Sequence, residues 1–385
     1  MGSPTVGALD VSAADRAKGV FPSQLHSLTA LRFFLALGVV LFHLHLGWRY
    51  DDMAVTWLFE RGRLGVDVFF ILSGFVLTHV YAGALEAGRF SYRSFLTARV
   101  ARIFPVHVLA LAGMLVMVLA AELLNQEYRS EHFTAVGFLK TLLLVQAWFP
   151  TNTLNEWNGP SWSLSAEWFA YLAFPLFAWI GILLRRRPWF IVVLSAILFI
   201  GLDDFYRSAF GKLLTHAEEN LGILRILPEF LLGVGLYHWG RRLNPGPILA
   251  WFCAGASLIA MLLAMHRGLD DRLIVFLAGA LVLSLALLSK ARTGARSAGG
   301  VLVLLGEASY ALYLIHIPLF TAWRGLMAAL LDKPSSYKLH WVEAGAMLLA
   351  AQVIAILLFL FFERPARDWI KSRWGGPRAQ SAEPQ

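Results

Sequence analysis

Apolar residues along this chain come in long blocks rather than at strand or amphipathic-helix spacing, with short polar stretches between them. Eleven blocks can be marked, at 28–47, 64–82, 103–123, 136–149, 160–183, 188–202, 222–239, 246–265, 272–288, 301–323 and 341–362. About 20 apolar residues in helix span a hydrocarbon core of ~30 Å. No water-soluble interior hides so many blocks of that length. The pattern predicts an all-α polytopic membrane protein.

The basic residues set its threading. Lys and Arg gather on the cytoplasmic side of membrane proteins. Five groups make that claim here: Arg89 with Arg93, Arg99 and Arg102; Arg185 to Arg187; Arg241 with Arg242; Lys290 with Arg292 and Arg296; and Arg364 with Arg367, Lys371 and Arg373. Three blocks separate the first group from the second, where an even number of crossings is required. The block at 136–149 is only 14 residues long. If it enters without crossing, all five claims are met. The expectation is then about ten transmembrane helices plus one short re-entrant segment, with both termini cytoplasmic. The acidic residues then fall mostly outside: Asp51, Asp52, Glu60, Glu127, Glu131, Asp203, Asp204, Glu218, Glu219, Asp270 and Asp271. A non-crossing segment needs its backbone groups covered by protein or cavity water, so residues 136–160 are expected to line a cavity open to the outer face.

The expected organisation is a cytoplasmic N-terminal segment (1–24), a membrane domain (25–370) and a disordered cytoplasmic tail (371–385). The first 22 residues lack a signal-peptide-like apolar stretch, so the first block is expected to remain as an anchor. No convincing internal repeat is visible, which disfavours the repeat plan of many transporters.

Composition sharpens this picture. The chain is 58% hydrophobic and 15% charged, with a mean hydropathy of +0.62, against roughly half and a quarter for soluble domains. The net charge of +8 raises a nucleic-acid reading. The basic residues sit at block ends, however, and form no polar face with interleaved aromatics, so nucleic acid is excluded as a partner. Cys253, the single cysteine, lies inside an apolar block. It offers no disulfide framework and no thiolate metal cage, and is expected to pack.

A charge inside a bilayer costs several kcal/mol by most estimates, so each needs a partner or a job. The candidates are Arg32, His43, His45, Asp67, Glu167, Glu229, Glu307 and His316. Arg32 and His43 are eleven positions apart, which at ~100° per residue puts them on one helix face, ~16 Å apart along the axis. A cation and an imidazole on one stripe suit two ends of a long ligand, whereas a lone intramembrane His is more often a packing residue. Asp67 could be the counter-ion of Arg32 or of a protonated His43; Ser73 and Gly74 permit close helix approach. Arg99 and Arg102 share a face and fit a phosphate-bearing ligand, although spacing alone favours ordinary anchoring. Ser163 and Glu167, beside Trp162, are i, i+4 and can project together into a cavity. Tyr313 and His316 share a face on the tenth block, with His316 an alternative base or a helix–helix hydrogen-bond partner.

Taken in order, these elements resemble the acyltransferase-3 family of integral membrane O-acyltransferases. Arg32 with His43 is similar to its Arg/Lys-to-His motif, Gly65-Val66-Asp67-Val68-Phe69-Phe70-Ile71-Leu72-Ser73-Gly74-Phe75 to its second-helix signature, and Arg99-Val100-Ala101-Arg102 to its double-arginine motif. Trp162-Ser163-Leu164-Ser165-Ala166-Glu167, Ser309-Tyr310 through His316, and Glu363-Arg364-Pro365 complete the set. The resemblance covers about Leu28 to Pro365. It implies ten spanning helices in a plasma membrane (a bacterial inner membrane) and transfer of an acyl group, acetyl first, from acyl-CoA with no metal. The acceptor it implies is a hydroxyl on a carbohydrate, such as a surface polysaccharide or its lipid-linked sugar precursor. His43 is then expected as base or acyl carrier with Glu167 and Asp67, Arg32, Arg99 and Arg102 as the coenzyme A contacts, and Ser163, Trp162, Tyr313 and His316 at the acceptor. The C-terminal esterase-like domain of some members is not expected here, and glycan biosynthesis or export proteins are the expected protein partners. Two other readings stand beside it: a transporter or flippase with Arg32, His43, Asp67 and Glu167 lining its path, and a helper subunit of a glycan export complex.

Overall fold

A computed structural model describes residues 21–47, 55–124, 130–151, 157–291, 300–331, 333 and 337–375. Asp51, Asp52, Glu127, Arg292, Arg296 and most of the two terminal segments lie outside the described residues. Those described fold into thirteen α-helices: α1 (His26–His45), α2 (Gly65–Glu86, entered through a 3-10 turn at Glu60–Leu64), α3 (Tyr92–Leu123), α4 (Ala135–Leu142), α5 (Trp162–Leu172), α6 (Phe174–Leu184), α7 (Trp189–Phe210), α8 (Ile223–Gly240), α9 (Pro247–His266), α10 (Asp271–Ala291), α11 (Val301–Leu331), α12 (Trp341–Leu358) and α13 (Arg364–Trp374). The chain is an all-α polytopic membrane protein. Eight spans are long and apolar enough to cross a membrane, and α5 with α6, bent by 58° at their junction, makes a ninth. The remaining expected crossing, α8, runs among the others as a core helix with 14 of its 18 residues buried.

The short block behaves as its length requires. α4 has eight residues, ~12 Å of helix, and cannot cross. Its neighbourhood is covered by protein: His107 Nε2 meets the Thr141 carbonyl at 2.9 Å, Ala147 N–H donates to Ser165 Oγ at 3.1 Å, and Trp148 Nε1 donates to the Ser165 carbonyl at 2.9 Å. The expected outer cavity takes a different form, because none of residues 136–160 lines the cavity described below.

Two helix pairs form the frame, and both run parallel. α1 lies along α11, and α2 along α8. On α2 and α8 the contacts advance together, from Asp67 against Arg225, through Gly74 against Phe230, to His79 against Tyr237. A methyl group on Gly74 would sit 2.1 Å from the Phe230 carbonyl oxygen, and one on Gly233 would sit 2.1 Å from that of Ile71. Only glycine allows this approach, the small-residue packing typical of membrane helices.

The two ends of the bundle differ in charge. At one end Glu60 meets Arg63 and His45, Asp271 receives Arg61, Arg63 and Thr215, and Arg272 bridges Asp203 and Asp270. Burial, with Arg63 beside it, pushes the His216 imidazole down to about 4, so it adds no charge there near neutrality. At the other end Arg241 pairs with Glu86, Lys290 caps the carbonyls of Gly240, Arg241 and Leu243, and Arg102 pairs with Glu363. Glu60, Asp203, Asp270 and Asp271, from distant parts of the chain, thus share one end.

α13 departs from expectation. Helix continues to Trp374, past residue 370, and along it Arg367 and Lys371, one turn apart, are half-buried while Arg364, Trp369 and Arg373 are exposed.

Candidate active site

A cavity of about 330 Å³ enters the basic end, among Ser23, Gln24, His26, Arg367 and Lys371. Inward it is lined by Arg32 of α1, Phe69 and Ser73 of α2, Arg99 and Arg102 of α3, Ser163 and Glu167 of α5, and Tyr310 and Tyr313 of α11. Seven of the sequence candidates therefore meet in one space: Arg32, Arg99, Arg102, Ser163, Glu167, Glu307 and Tyr313.

Local structure places each of them. Asn158 adopts a left-handed backbone (φ 75°) before the turn Gly159–Ser161, which turns the chain into α5. Ser163 and Glu167 then lie on its cavity face. Glu167 Oε1 accepts from Ser73 Oγ and from the Tyr171 hydroxyl at 2.5 Å. Ser163 Oγ pairs with the Tyr313 hydroxyl at 2.7 Å, and both reach the Pro160 carbonyl at 3.0 Å. These bonds hold α5 to α11 at the cavity's inner end.

The arginines differ in partners. The Arg99 guanidinium lies 5.9 Å from the Phe95 ring centre and 5.8 Å from that of Tyr171. Arg102 lies 5.2 Å from the Tyr310 ring centre and pairs with Glu363. A π-helical turn at Phe359–Glu363 brings Glu363 inward; such turns recur at functional sites. Arg32 makes no ion pair among the described residues, which leaves its guanidinium to whatever enters the cavity.

His43 and His316 do not line the cavity. They follow Tyr313 in succession: the Tyr313 and His316 ring centres are 6.0 Å apart, and those of His316 and His43 are 4.9 Å apart. His316 Nδ1 lies 2.6 Å from the Tyr313 carbonyl, His43 Nδ1 lies 2.9 Å from the Val39 carbonyl, and His43 Nδ1 and His316 Nε2 are 3.2 Å apart. A carbonyl oxygen only accepts, so in neutral rings both Nδ1 atoms carry protons. The single His43 Nδ1–H is then shared between the Val39 carbonyl and His316 Nε2, and His43 Nε2 keeps its lone pair. The pair is wired to present one basic nitrogen, on the acidic-end side of the cavity's inner wall.

Two candidates are placed otherwise. Asp67 is the counter-ion of neither Arg32 nor His43: both its oxygens are taken by Arg225, Oδ1 by Nε at 2.9 Å and Oδ2 by Nη2 at 2.5 Å. The pair is enclosed, with side chains 0% and 2% exposed, so Asp67 joins α2 to α8 instead of facing a ligand. Trp162 stands behind the cavity wall, its ring 5.1 Å from the Arg225 guanidinium and edge-on to Phe70. Arg225 escaped the sequence reading because it stands near the start of its block, where a charge passes for an end residue. Glu229 and His45 also lie away from the cavity, Glu229 buried beside Asp67 and His45 3.8 Å from Glu60.

A cavity lined by three arginines and a carboxylate holding two hydroxyls, with an oriented histidine pair beyond its inner wall, inside a membrane bundle, describes a membrane-embedded group-transfer enzyme. The acyltransferase domain of the acyltransferase-3 family matches residues 25–362, and the chain belongs to that family. Acyltransferase MdmB of Streptomyces mycarofaciens is 32% identical over 372 residues, covering 87% of this chain and 88% of that protein. Exopolysaccharide production protein ExoZ of Rhizobium meliloti is 28% identical over 319 residues, covering 80% of this chain and 90% of that protein. No solved structure matches. The protein is an integral membrane acyltransferase.

Proposed function

We propose that the enzyme moves an acyl group, acetyl first among the candidates, from acyl-CoA entering at the basic end to a hydroxyl of a carbohydrate-type acceptor. The observation that carries this reading is a single cavity lined by Arg32, Arg99 and Arg102 and ending at Ser163 and Tyr313, one ring before the His316–His43 pair. Guanidinium groups suit phosphates in fixed geometry. The volume lies at the small end of ligand pockets, so it suits the narrow pantetheine arm, with the nucleotide at the mouth.

In this reading His43 Nε2 takes the acceptor's hydroxyl proton as the oxygen attacks the thioester carbon, and coenzyme A leaves as the thiol. Protonated His43 then returns the proton towards the departing sulfur. Ser163 and Tyr313, at the inner wall, turn their hydroxyl protons from the Pro160 carbonyl to the thioester carbonyl oxygen as it gains charge. Phe69 and Tyr313 yield when both substrates are bound. Glu167 fixes Ser73 and Tyr171 around the arm. Positioning of this kind removes a large part of such a barrier.

The carbohydrate-type acceptor, a surface polysaccharide or its lipid-linked precursor, is supported by the family resemblance and by the likeness to ExoZ. The distribution of charge supports a bacterial inner membrane location with the basic end and both termini in the cytoplasm. The transport reading loses one of its pathway residues, since Asp67 is bound to Arg225. The test is chemical. Membranes holding the protein should release coenzyme A thiol from acetyl-CoA when acceptor is added, and His43→Ala should abolish release while inserting normally. Wild-type membranes that move the acceptor but release no thiol would refute the reading.

A further inference from the structure

Helix α13 turns two of its basic residues inward. Arg364 and Arg373 are exposed, as anchoring residues on the cytoplasmic side should be. Arg367 and Lys371, one turn apart, are half-buried and line the cavity mouth with Ser23, Gln24 and His26. Behind them, on the same cavity, stand Arg99, Arg102 and Arg32. Five cations thus line a space whose carboxylates are Glu167, Glu307 and Asp368. Glu167 is engaged by Ser73 and Tyr171, and Asp368 approaches Arg367 only at 3.8 Å with its own side chain 63% exposed. Arg102 is balanced by Glu363, and Arg367 and Lys371, at the mouth, are the cations that an entering anion meets first.

The rest of α13 is built to hold these two residues in place. Arg102 pairs with Glu363 at the turn leading into the helix, and α13 packs along α3, which carries Arg99 and Arg102. On the outer side Trp369 and Trp374, 60% and 54% exposed, meet edge-on at 5.2 Å. Exposed tryptophans of this kind anchor helices at a membrane interface. Lysine and arginine directed at a cavity, on a helix held by an ion pair and a tryptophan anchor, form a clamp.

We infer that α13 is a donor-specificity element, with Arg367 and Lys371 binding the ribose 3′-phosphate of coenzyme A. This rests on the proposed donor. The order of groups along the coenzyme sets the assignment: with the pantetheine arm inward, the diphosphate falls at Arg99 and Arg102, and the terminal 3′-phosphate reaches the mouth. The enzyme therefore distinguishes acetyl-CoA from acetyl-dephospho-CoA, which differs only in that phosphate.

The experiment is steady-state kinetics with both donors on the full chain in detergent or vesicles. Wild type should favour acetyl-CoA in kcat/KM by roughly ten- to hundredfold, the worth of one charge-assisted contact or two. Arg367→Gln with Lys371→Gln should bring the ratio close to one by raising KM for acetyl-CoA, with kcat retained. Arg364→Gln with Arg373→Gln removes the same charge from the exposed face and should leave the ratio unchanged. Should the inner double variant fail to insert, Lys371→Gln alone and competition of free coenzyme A against dephospho-CoA on the wild type give the same reading. Equal use of both donors by wild type, or discrimination that survives in the inner variants, overturns the inference and leaves acyl transfer standing. A wild type that uses neither donor overturns the donor assignment, and this inference with it.

Discussion

Asp67→Asn separates a structural from a catalytic role at a residue inside the family's second-helix signature. The substitution leaves Arg225, whose side chain is 2% exposed, without its bidentate partner. Breaking a buried pair from one side costs about 3–5 kcal/mol, because the surviving charge stays buried. The Trp162 face at 5.1 Å and the Ala217 carbonyl at 3.4 Å remain and return about 1 kcal/mol through cation–π attraction. Glu229, one turn from Arg225 and fully buried, is a second source of compensation. A net loss of about 2–4 kcal/mol follows, or roughly a thirty- to thousandfold shift in the unfolding equilibrium. Arg225→Gln should cost as much, and Asp67→Asn with Arg225→Gln should cost less than the two singles added, because no unpaired charge remains. The assay is thermal inactivation of detergent-solubilised protein, followed by monodispersity and by thiol release per folded molecule. Turnover per folded molecule should change little. Loss of turnover in Asp67→Asn with no thermal change would refute the argument and restore Asp67 to the chemistry.

Gly74→Ala places a methyl group 2.1 Å from the Phe230 carbonyl oxygen, whereas Gly83→Ala meets nothing within 4 Å; overpacking costs about 1–3 kcal/mol, so only the first should lower the inactivation temperature. His316→Gln keeps an acceptor for His43 Nδ1 and should retain more activity than His316→Leu, and the pH–rate profile of the Leu variant should shift, whereas a purely packing His316 would leave the profile unmoved. Glu167→Gln keeps an oxygen for Ser73 and Tyr171 and should retain most turnover, with Glu167→Ala losing far more; equal loss in both would make the carboxylate charge, not its hydrogen bonds, the essential feature.

Much of this was legible in the chain because bilayer physics leaves a coarse trace. Block length and loop charge sufficed for the fold class and the short non-crossing block, and Glu60, Asp203, Asp270 and Asp271 meet at one end as the same pattern suggests. Helical spacing put Ser163 with Glu167 and Tyr313 with His316; Ser163, Glu167 and Tyr313 line the cavity, and His316 lies one ring beyond Tyr313. Partners across helices left no such trace. The Asp67–Arg225 pair joins residues 158 positions apart, and any intramembrane cation was an equal candidate from sequence alone. The inward turn of Arg367 and Lys371 was hidden for a related reason: as residues at a cytoplasmic end they carried the signature of anchors, and only the packing of α13 on α3 separates them from Arg364 and Arg373.

The central claim is tested most directly by an experimental structure of the enzyme with a non-reactive acetyl-CoA analogue. The account predicts the pantetheine arm running past Arg32, Arg99 and Arg102, with the acyl carbon beside Ser163 and Tyr313 and an attacking oxygen able to sit ~3–3.5 Å from it within hydrogen-bond reach of His43 Nε2. An analogue bound outside the arginine-lined cavity, or an acyl carbon still walled off from His43 by Phe69 and Tyr313, would contradict it.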